Sequence, residues 1–376
     1  MGKYRTLCIC LPLICIMVFA IQRHYYSRRM TSTFLATLPS ELHFVRPVQL
    51  PYANLNTDSV QNEATAPTPK INPTPHHTDD ILLDYLKETE VTNVNDLDRW
   101  TNSNRSLTVV TAFFDIGNYP RGGKETRGPD KYKQWIRVFA WIQNPVVFYT
   151  DSEEFEKIFL DLRRNVTSNT KVIRISRDSL WSFQMKPKIE QIFANPKYPK
   201  VKPYTTVPNY TCITHSKFPI IADAAKRNTY SSKFFAWVDI GYFREIENAT
   251  KKFWLEVPTE FDRTKIGATR IFNNRLAANP STIIRIHMNW IGAGIFLGER
   301  DVFLTFTKQY KLSVLRFLEK GLITVEQYML GAMYSRVERI AHPQRVDIQA
   351  FKPVNGRTKT TDPWFYLGFL MYKEVN

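Results

Sequence analysis

The apolar residues of this chain fall into short continuous runs that alternate with stretches where they recur at helical spacing. Residues 107–114, 145–150, 172–175 and 234–238 form runs rich in β-branched and aromatic side chains. Runs of that length and composition predict strands, and the fully apolar ones predict strands buried on both faces. Residues 266–270 predict one further strand.

Helical periodicity follows most of these strands. We predict helices over residues 132–142, 153–163, 181–194, 217–226 and 324–336, and one that begins at Asp301. Strands alternating with helices are typical of an α/β domain with a mostly parallel sheet flanked by helices. We expect this folded domain to cover residues 106–376.

An apolar run at residues 7–21 has basic residues on both sides. It is shorter than the roughly 20 residues that span an average bilayer, which suits the thinner membranes of the early secretory pathway. The small residues near position 20 are also compatible with signal-peptide cleavage. We favour an uncleaved transmembrane signal anchor behind a cytoplasmic tail of residues 1–6. The protein is then a single-pass type II protein of the endoplasmic reticulum or Golgi membrane, with its domain in the lumen.

Residues 22–105 are predicted to form a disordered stem and lead-in segment. Prolines punctuate this stretch among threonine, serine and asparagine, and apolar periodicity is poor. N-glycosylation sequons follow the anchor, which supports a lumenal domain. Their asparagines are Asn104, Asn165, Asn209 and Asn248.

The formal net charge of +16 is high enough to suggest nucleic-acid binding. The basic residues are scattered, however, and the chain has no RNA-binding, zinc-finger or helix-turn-helix signature. We therefore expect no nucleic-acid partner; a basic surface equally suits nucleotide diphosphates, anionic glycans or membrane headgroups. Cys212 is the only cysteine after residue 15, so the main body has no internal disulfide framework.

The run at residues 234–238 ends abruptly at Asp239, and Gly241 follows. Ligands of open α/β sheets bind outside the carboxyl ends of the strands, so this aspartate is placed to hold a hard cation through oxygen. The competing interpretation is a strand-terminal aspartate that caps the next turn. The local pattern favours neither of the two.

Two other segments contain candidate binding residues. Residues 121–128 form a glycine-containing loop that matches neither the Walker pattern nor the dinucleotide fingerprint, so its phosphate-binding signal is weak. Residues 286–298 are apolar but interrupted by three glycines. An exposed Trp290 in this segment would stack on a bound sugar, whereas a buried one would be a core side chain in a plain strand-turn-strand.

Three strand-end motifs, taken together, resemble one family. They are residues 111–117 (TAFFDIG), 144–151 (NPVVFYTD) and 237–244 (WVDIGYFR). These motifs are similar to those of the HtrL/YibB family, whose bacterial members are associated with lipopolysaccharide and O-antigen assembly. That family is in turn similar to glycosyltransferases of the GT-A fold. The resemblance implies a GT-A-like, Rossmann-like domain from about residue 107 onward.

The resemblance also implies a donor site. In GT-A enzymes the first strand holds the nucleotide, and a lysine-bearing helix leads to a metal-binding strand that normally ends in Asp-x-Asp. In this chain Gly241 replaces the second acid. Asp239, helped by His342, is implied to bind Mn²⁺ or Mg²⁺, which would stabilise the leaving diphosphate. The implied donor-binding residues are Thr111, Ala112, Phe113, Asp115 and Lys217.

The acceptor side of the implied site comes from later segments. Glu326 matches the position that often supplies the catalytic base, which takes the proton of the acceptor hydroxyl in an inverting reaction. The implied acceptor-binding residues are Trp290, Gly292, Ala293 and Gly294.

These expectations combine into one leading hypothesis and one alternative. The leading hypothesis is a membrane-anchored lumenal glycosyltransferase that transfers a hexose from a nucleotide sugar to a glycan acceptor. UDP-galactose is the donor suggested by the related bacterial polysaccharide pathways. The alternative, motivated by the missing second acid, is a non-catalytic glycan-binding or scaffold protein on a degenerate transferase fold.

Overall fold

Strands and helices alternate along the computed structural model, which describes residues 106–123, 125–248, 250–273 and 276–375. The predicted anchor at 7–21, the stem and Asn104 lie outside these residues. The strands are β1 (Leu107–Phe113), β2 (Tyr119–Pro120), β3 (Thr126–Arg127), β4 (Val146–Thr150), β5 (Thr170–Arg174), β6 (Phe234–Val238), β7 (Phe253–Leu255), β8 (Ile266–Arg270), β9 (Ile291–Glu299), β10 (Ile348–Phe351) and β11 (Tyr372–Glu374).

Seven of these strands form one sheet in the order β10-β8-β9-β6-β1-β4-β5. β1 is parallel to β4 and β6, β4 to β5, and β8 to β10, whereas β9 is antiparallel to both of its neighbours, β6 and β8. The predicted α/β class with a mostly parallel sheet flanked by helices is therefore confirmed. Two small antiparallel pairs, β2–β3 and β7–β11, lie outside the main sheet.

The burial of the central strand β6 on both faces explains why its sequence is apolar throughout. All five of its residues are buried. Phe235 and Trp237 belong to one apolar cluster, and Phe234, Ala236 and Val238 belong to the other. Because successive side chains of a strand point to opposite faces, a strand covered on both faces needs apolar residues at every position.

The two faces of the sheet are covered by different helices. The α-helices are α1 (Pro129–Trp135), α2 (Glu153–Leu162), α3 (Trp181–Gln184), α4 (Lys186–Ala194), α5 (Pro208–Arg227), α6 (Pro280–Arg285), α7 (Arg300–Glu319), α8 (Glu326–Met333), α9 (Arg336–Ala341) and α10 (Tyr366–Met371). Helices α3, α4, α5, α6, α7 and α8 contribute to the cluster on the Trp237 side, and α1, α2 and α10 to the opposite one.

Several helix boundaries differ from the prediction. The helix predicted at 217–226 begins at Pro208. Proline has no backbone N–H, and in the first turn of a helix that group would have no intrahelical acceptor, so proline fits there. The helix predicted at 181–194 is divided at Met185, two residues before Pro187 in the first turn of α4. The helix predicted at 324–336 becomes α8 and α9, because Ser335 caps a new helix by accepting from the backbone N–H of Glu338.

No helix in the part of the chain that the structure describes is long and apolar enough to cross a bilayer. Two of the predicted glycosylation sites, Asn165 and Asn248, are exposed. Asn209 is half-buried in the first turn of α5, and its Oδ1 is enclosed with no hydrogen-bond partner among the described residues. The hydroxyl of Thr211 in the same sequon is buried and donates to the carbonyl of Tyr204. The geometry therefore favours modification at Asn165 and Asn248 over Asn209.

A fully buried guanidinium, that of Arg163, connects α2 to the loops around β4. Burial lowers its pKa to about 10, so it stays charged at neutral pH. Its Nε donates to Thr170 Oγ1 at 2.9 Å. Its two terminal nitrogens donate to the backbone carbonyls of Phe139, Ile142, Asn144 and Asn169.

Replacing this guanidinium should strongly destabilise the fold. We expect Arg163→Met to lower the free energy of unfolding by about 3–5 kcal/mol, because several buried carbonyls lose their donors at about 1–3 kcal/mol each. The measurement is urea unfolding of the full-length chain. Arg164→Met is the matched control: Arg164 is 73% exposed and makes a surface ion pair with Asp161, so its replacement should cost less than about 1 kcal/mol. Equal losses in the two variants would contradict a structural role for Arg163.

Candidate active site

A cavity of about 420 Å³ opens at the carboxyl ends of β1 and β6. It is bounded by the loop after β1, helices α1 and α5, the turn after β6, the first half of β9 and the start of α8. Because β9 is antiparallel to β6, its amino-terminal residues lie beside the carboxyl end of β6. Segments far apart in sequence therefore meet at the edge where α/β sheets bind their ligands.

Asp239 stands at this edge, directly after β6. Its backbone N–H donates to the carbonyl of Gly294 at 2.9 Å, which extends the pairing with β9 by one residue. The indole Nε1 of Trp237 donates to Asp239 Oδ1 at 2.7 Å. The carboxylate is held in one orientation while 39% of its side chain remains exposed to the cavity.

Lys217, near the middle of α5, provides the cation that faces Asp239. Its Nζ lies 2.9 Å from Asp239 Oδ1 and 3.1 Å from Oδ2. The same nitrogen lies 2.7 Å from Glu326 Oε1 and 2.8 Å from the carbonyl oxygen of Ala293. An ammonium has three donors. Because every donor has an acceptor within reach, this side chain is fixed and has none left for a ligand.

Glu326 is the deepest member of this group. It is the first residue of α8, and only 4% of its side chain is exposed. Burial raises the pKa of Glu326 above its usual range, although the nearby Lys217 ammonium opposes that shift. Burial alone would lower the pKa of Lys217, but Asp239 and Glu326 reverse this and raise it. The ammonium therefore stays charged and holds two carboxylates together.

Gly241 stands where an Asp-x-Asp strand end would have its second acid, and the packing leaves no room for one. A Cβ at Gly241 would lie 2.7 Å from Cε3 of the buried Trp135 ring. Real Cβ contacts are longer than that, so an aspartate at this position would displace the ring. The first turn after β6 therefore accepts one carboxylate and excludes a second.

Arginines form the outer wall of the cavity. Arg127 and Arg244 stack on the ring of Trp135, with Cζ at 5.1 Å and 5.9 Å from its centroid. Arg244 also lies over Phe365 at 4.4 Å and donates to the carbonyl of Gly241. Arg121 is half-buried on the same wall. The site is thus positively charged at its rim and contains the carboxylates deeper inside.

Tyrosines line another wall. The hydroxyls of Tyr119 and Tyr132 are 2.6 Å apart, and the ring of Tyr119 lies 5.1 Å from that of Tyr210. Tyr204 contacts both Tyr210 and Tyr328, at centroid distances of 6.2 Å and 5.7 Å. Burial raises the pKa of Tyr132, Tyr210 and Tyr328, so their hydroxyls stay protonated at neutral pH. Such a wall offers aromatic faces and neutral hydroxyls to a polar ring.

The structure gathers some of the predicted site residues in the cavity wall and not others. Those that line it are Ala112, Phe113, Lys217, Asp239, Ala293, Gly294 and Glu326. Thr111 is fully buried within β1, and its hydroxyl has no partner among the described residues. Asp115 lies in the turn after β1, where its Oδ1 accepts from the backbone N–H of Gly117 at 2.8 Å. Neither residue borders the cavity.

The predicted acceptor segment divides in the same way. Trp290 is only 9% exposed and packs against Tyr334 at 5.6 Å between ring centroids. Trp290 is therefore a core side chain and not an exposed ring on which a sugar could stack. Gly292 faces Ile271 and Trp364. His342 is exposed at the end of α9 and does not line the cavity with Asp239.

The side chains around Asp239 do not fit a divalent cation. Both Asp239 oxygens already accept from Lys217, whose ammonium lies where an ion bridging to Glu326 would have to lie. Within the described ranges, no three His, Cys, Asp or Glu side chains are grouped to hold a metal ion. The implied metal-binding roles of Asp239 and His342 therefore have no support in this geometry.

Most residues of the outer wall have no recognisable signal in the sequence. Arg127, Tyr132 and Trp135 come from the segment around α1, and Tyr204 and Tyr210 from the segment that opens α5. The loop at 121–128 gave only a weak phosphate signal, although Arg121 and Arg127 both line the cavity. Arg244 closes one of the three family motifs, so its position beside Asp239 was the one available clue.

Removing the buried ammonium should cost stability in a pH-dependent way. We expect Lys217→Met to lower the free energy of unfolding by about 3–5 kcal/mol at neutral pH, because it leaves buried carboxylates without their counter-ion. A carboxyl whose pKa is raised by folding destabilises the fold as pH rises through that range. The loss should therefore shrink on acidification, when Glu326 takes up a proton. Urea unfolding at pH 7 and pH 4 measures both values.

Lys226→Met is the control for this substitution. Lys226 is exposed in the last turn of the same helix, so its replacement should change stability by less than about 0.5 kcal/mol at either pH. The double variant Lys217→Met, Glu326→Gln should recover part of the loss at neutral pH. A loss in Lys217→Met that is the same at both pH values would show that the carboxylates do not depend on this ammonium.

Comparison with known proteins now identifies the family. No curated protein matches the chain closely enough to count as a relative. A family model described as "Bacterial protein of unknown function (HtrL_YibB)" matches residues 105–347. The match covers more than half of the 376 residues and includes Lys217, Asp239 and Glu326. The chain therefore belongs to the HtrL/YibB family, as its three strand-end motifs predicted.

Proposed function

We propose that this protein is a glycosyltransferase that moves a hexose from a nucleotide sugar to a glycan acceptor, with UDP-galactose as the expected donor. The observation that carries the proposal is the buried Lys217, which holds Asp239 and Glu326 in one cavity at the carboxyl edge of the sheet. Strongly coupled charged groups in a cleft are typical of functional sites. The same proposal includes a structural relationship between this sheet and that of GT-A-fold glycosyltransferases.

The chemistry of transfer explains why such a cavity is suitable. The bond between the anomeric carbon and a diphosphate oxygen breaks, and a bond from that carbon to the acceptor oxygen forms. Negative charge develops on the leaving diphosphate, while the acceptor hydroxyl loses a proton. The site needs positive charge on one side and a base on the other. Four basic side chains line the cavity, and one of its two carboxylates is open to it.

Asp239 is better placed than Glu326 to take the acceptor proton. A general base must come within hydrogen-bond reach of the hydroxyl it deprotonates. Asp239 is 39% exposed, whereas Glu326 is 4% exposed and lies behind the Lys217 ammonium. We therefore assign proton acceptance to Asp239. Glu326, predicted to be the base, becomes a positioning residue that fixes Lys217.

The size and lining of the cavity suit sugar ligands. Its volume of about 420 Å³ lies within the roughly 300–1,000 Å³ that small-molecule sites occupy. The wall of Tyr204, Tyr210 and Tyr328 provides aromatic faces against which a pyranose can pack, together with hydroxyls that can bond to its own. We place the acceptor at this wall.

The lumenal location remains part of the proposal. Exposed sequons at Asn165 and Asn248 support it. Treatment of the protein from a eukaryotic host with an endoglycosidase should increase its electrophoretic mobility, because attached glycans slow migration. Asn165→Gln with Asn248→Gln should remove most of that shift. Unmodified protein with both sequons intact would contradict a lumenal domain.

One observation favours a second candidate function. All donors of Lys217 and both oxygens of Asp239 already have partners inside the protein. A glycan-binding or scaffold protein on a degenerate transferase fold would have such a closed ion cluster. Calorimetry separates the candidates: a transferase binds its nucleotide sugar, whereas a glycan-binding protein binds glycans and ignores the donor.

The exposed carboxylate gives the direct test of transfer. We expect Asp239→Asn to reduce transfer by about 10²–10⁴-fold, the contribution of a positioned general base, with the fold intact. The assay incubates the protein with a panel of nucleotide sugars and glycan acceptors and follows product and free nucleotide. Circular dichroism and the thermal midpoint monitor the fold.

The control is another aspartate paired with a lysine. Asp262 is 37% exposed and lies 2.6 Å from Lys265, and it does not line the cavity. Asp262→Asn should therefore keep full activity. Full activity in Asp239→Asn would remove Asp239 from the reaction. The absence of transfer and of donor hydrolysis across the whole panel in the unmodified protein would contradict the proposed function.

A further inference from the structure

We propose that the cavity holds the diphosphate of its ligand directly through Arg121 and Arg244, without a divalent cation. The inference rests on the proposed transfer from a nucleotide sugar and names how its anionic part is bound. It departs from the metal-assisted binding that the GT-A resemblance implied. It is carried by the arrangement of charged residues in the cavity wall.

Arg121 is the first observation. The residue is half-buried and borders the cavity. Among the residues that the structure describes, its guanidinium makes no hydrogen bond or ion pair. Its backbone N–H donates to the carbonyl of Glu125. A partly buried guanidinium presents five donors in a planar fork that matches phosphate oxygens. This side chain is therefore available to an anion in the cavity.

Arg244 is the second. It is positioned by Phe365, with Cζ at 4.4 Å from the ring centroid, and by one hydrogen bond to the carbonyl of Gly241. Those contacts fix the guanidinium but leave most of its donors unused. Burial, and then the nearby positive charge of Arg121, lower the pKa of Arg244. Arg121 and Arg244 thus border the same cavity, and an anion bound there would be attracted by both positive charges.

The charge balance of the cavity agrees with an anionic ligand. Arg121, Arg127, Lys217 and Arg244 line it, against the carboxylates of Asp239 and Glu326. The two carboxylates share one ammonium, which leaves one negative charge in that cluster, and Arg127 is paired with Glu125 at 2.7 Å. Arg121 and Arg244 carry two further positive charges, so positive charge is in excess. A diphosphate ester keeps an ionised oxygen on each phosphorus, so it complements this pair.

Lys217 explains why the anion can approach without a metal ion. Carboxylates at the end of a strand would repel a diphosphate, and in a metal-dependent site the cation removes that repulsion. Here the fixed ammonium of Lys217, which Asp239 shares with Glu326, offsets much of that repulsion from inside the protein. Its donors are all engaged, so it acts as a counter-ion and leaves direct contact with the phosphates to the arginines.

The test measures binding of inorganic pyrophosphate and of UDP to the full-length chain by calorimetry, once in EDTA and once in Mn²⁺. We expect the same dissociation constant in both buffers. Arg121→Gln and Arg244→Gln should each weaken pyrophosphate binding by at least about tenfold, because each removes charge-assisted hydrogen bonds to the anion. Thermal midpoints verify that the variants are folded.

Arg263→Gln is the matched control. Arg263 is exposed and stacks on Phe234 at 5.5 Å, outside the cavity, so its replacement removes the same charge without touching the site. Its affinity for pyrophosphate should be unchanged. An equal weakening in this control, or unchanged affinity in both cavity variants, overturns the assignment to Arg121 and Arg244.

Other outcomes distinguish failure of metal-free diphosphate binding from failure of the proposed glycosyl transfer. Binding of UDP and pyrophosphate only in Mn²⁺ overturns metal-free binding and leaves glycosyl transfer standing. Absence of binding to either anion in both buffers, with glycans still bound, overturns the inference and the proposed transfer together.

Discussion

A single buried ammonium organises the site of this protein. Lys217 contacts Asp239, Glu326 and the carbonyl of Ala293, and so joins the end of β6, the start of α8 and the strand β9. Burying Glu326 beside the carboxylate of Asp239 is tolerable only because this cation compensates them. The orientation of Asp239 toward the cavity, the depth of Glu326 and the convergence of three distant segments all depend on that compensation. The ion cluster is thus a structural element of the fold as much as a feature of its chemistry.

The distribution of charge around this cluster separates two roles that a metal ion would combine. In a metal-dependent site the ion both neutralises the protein's carboxylates and contacts the ligand's phosphates. Here an interior lysine compensates the carboxylates, and in our proposal Arg121 and Arg244 contact the anion. Trp135 and Phe365 hold the Arg244 guanidinium in place before a ligand arrives, so little of its side-chain entropy would be lost on binding.

The framework was readable from the sequence because it depends on local patterns. The continuous apolar run of β6 predicted a strand buried on both faces, and its abrupt end predicted that Asp239 would lie at the sheet edge. Helix ends were less accurate, because Pro208 and Ser335 exert their effects through capping and first-turn geometry. Local sequence patterns did not predict which side chains contact Asp239. Lys217 lies before the strand β6 and Glu326 several elements after it, so only the packing of the fold brings them together. The orientation of Trp290 was not predictable either, because a tryptophan beside glycines has the same sequence pattern whether it faces a ligand or the core.

The close approach of Gly241 to Trp135 couples two positions in the evolution of this site. An acid at 241 requires a smaller residue at 135, yet shrinking a buried tryptophan alone costs about 3–5 kcal/mol, and adding a side chain at 241 alone costs about 1–3 kcal/mol in overpacking. The loss of Trp135 would also remove the ring that supports Arg127 and Arg244. A lineage with this packing therefore cannot acquire a second acid at this strand end by single neutral steps, because the Trp135 indole lies against the backbone of Gly241.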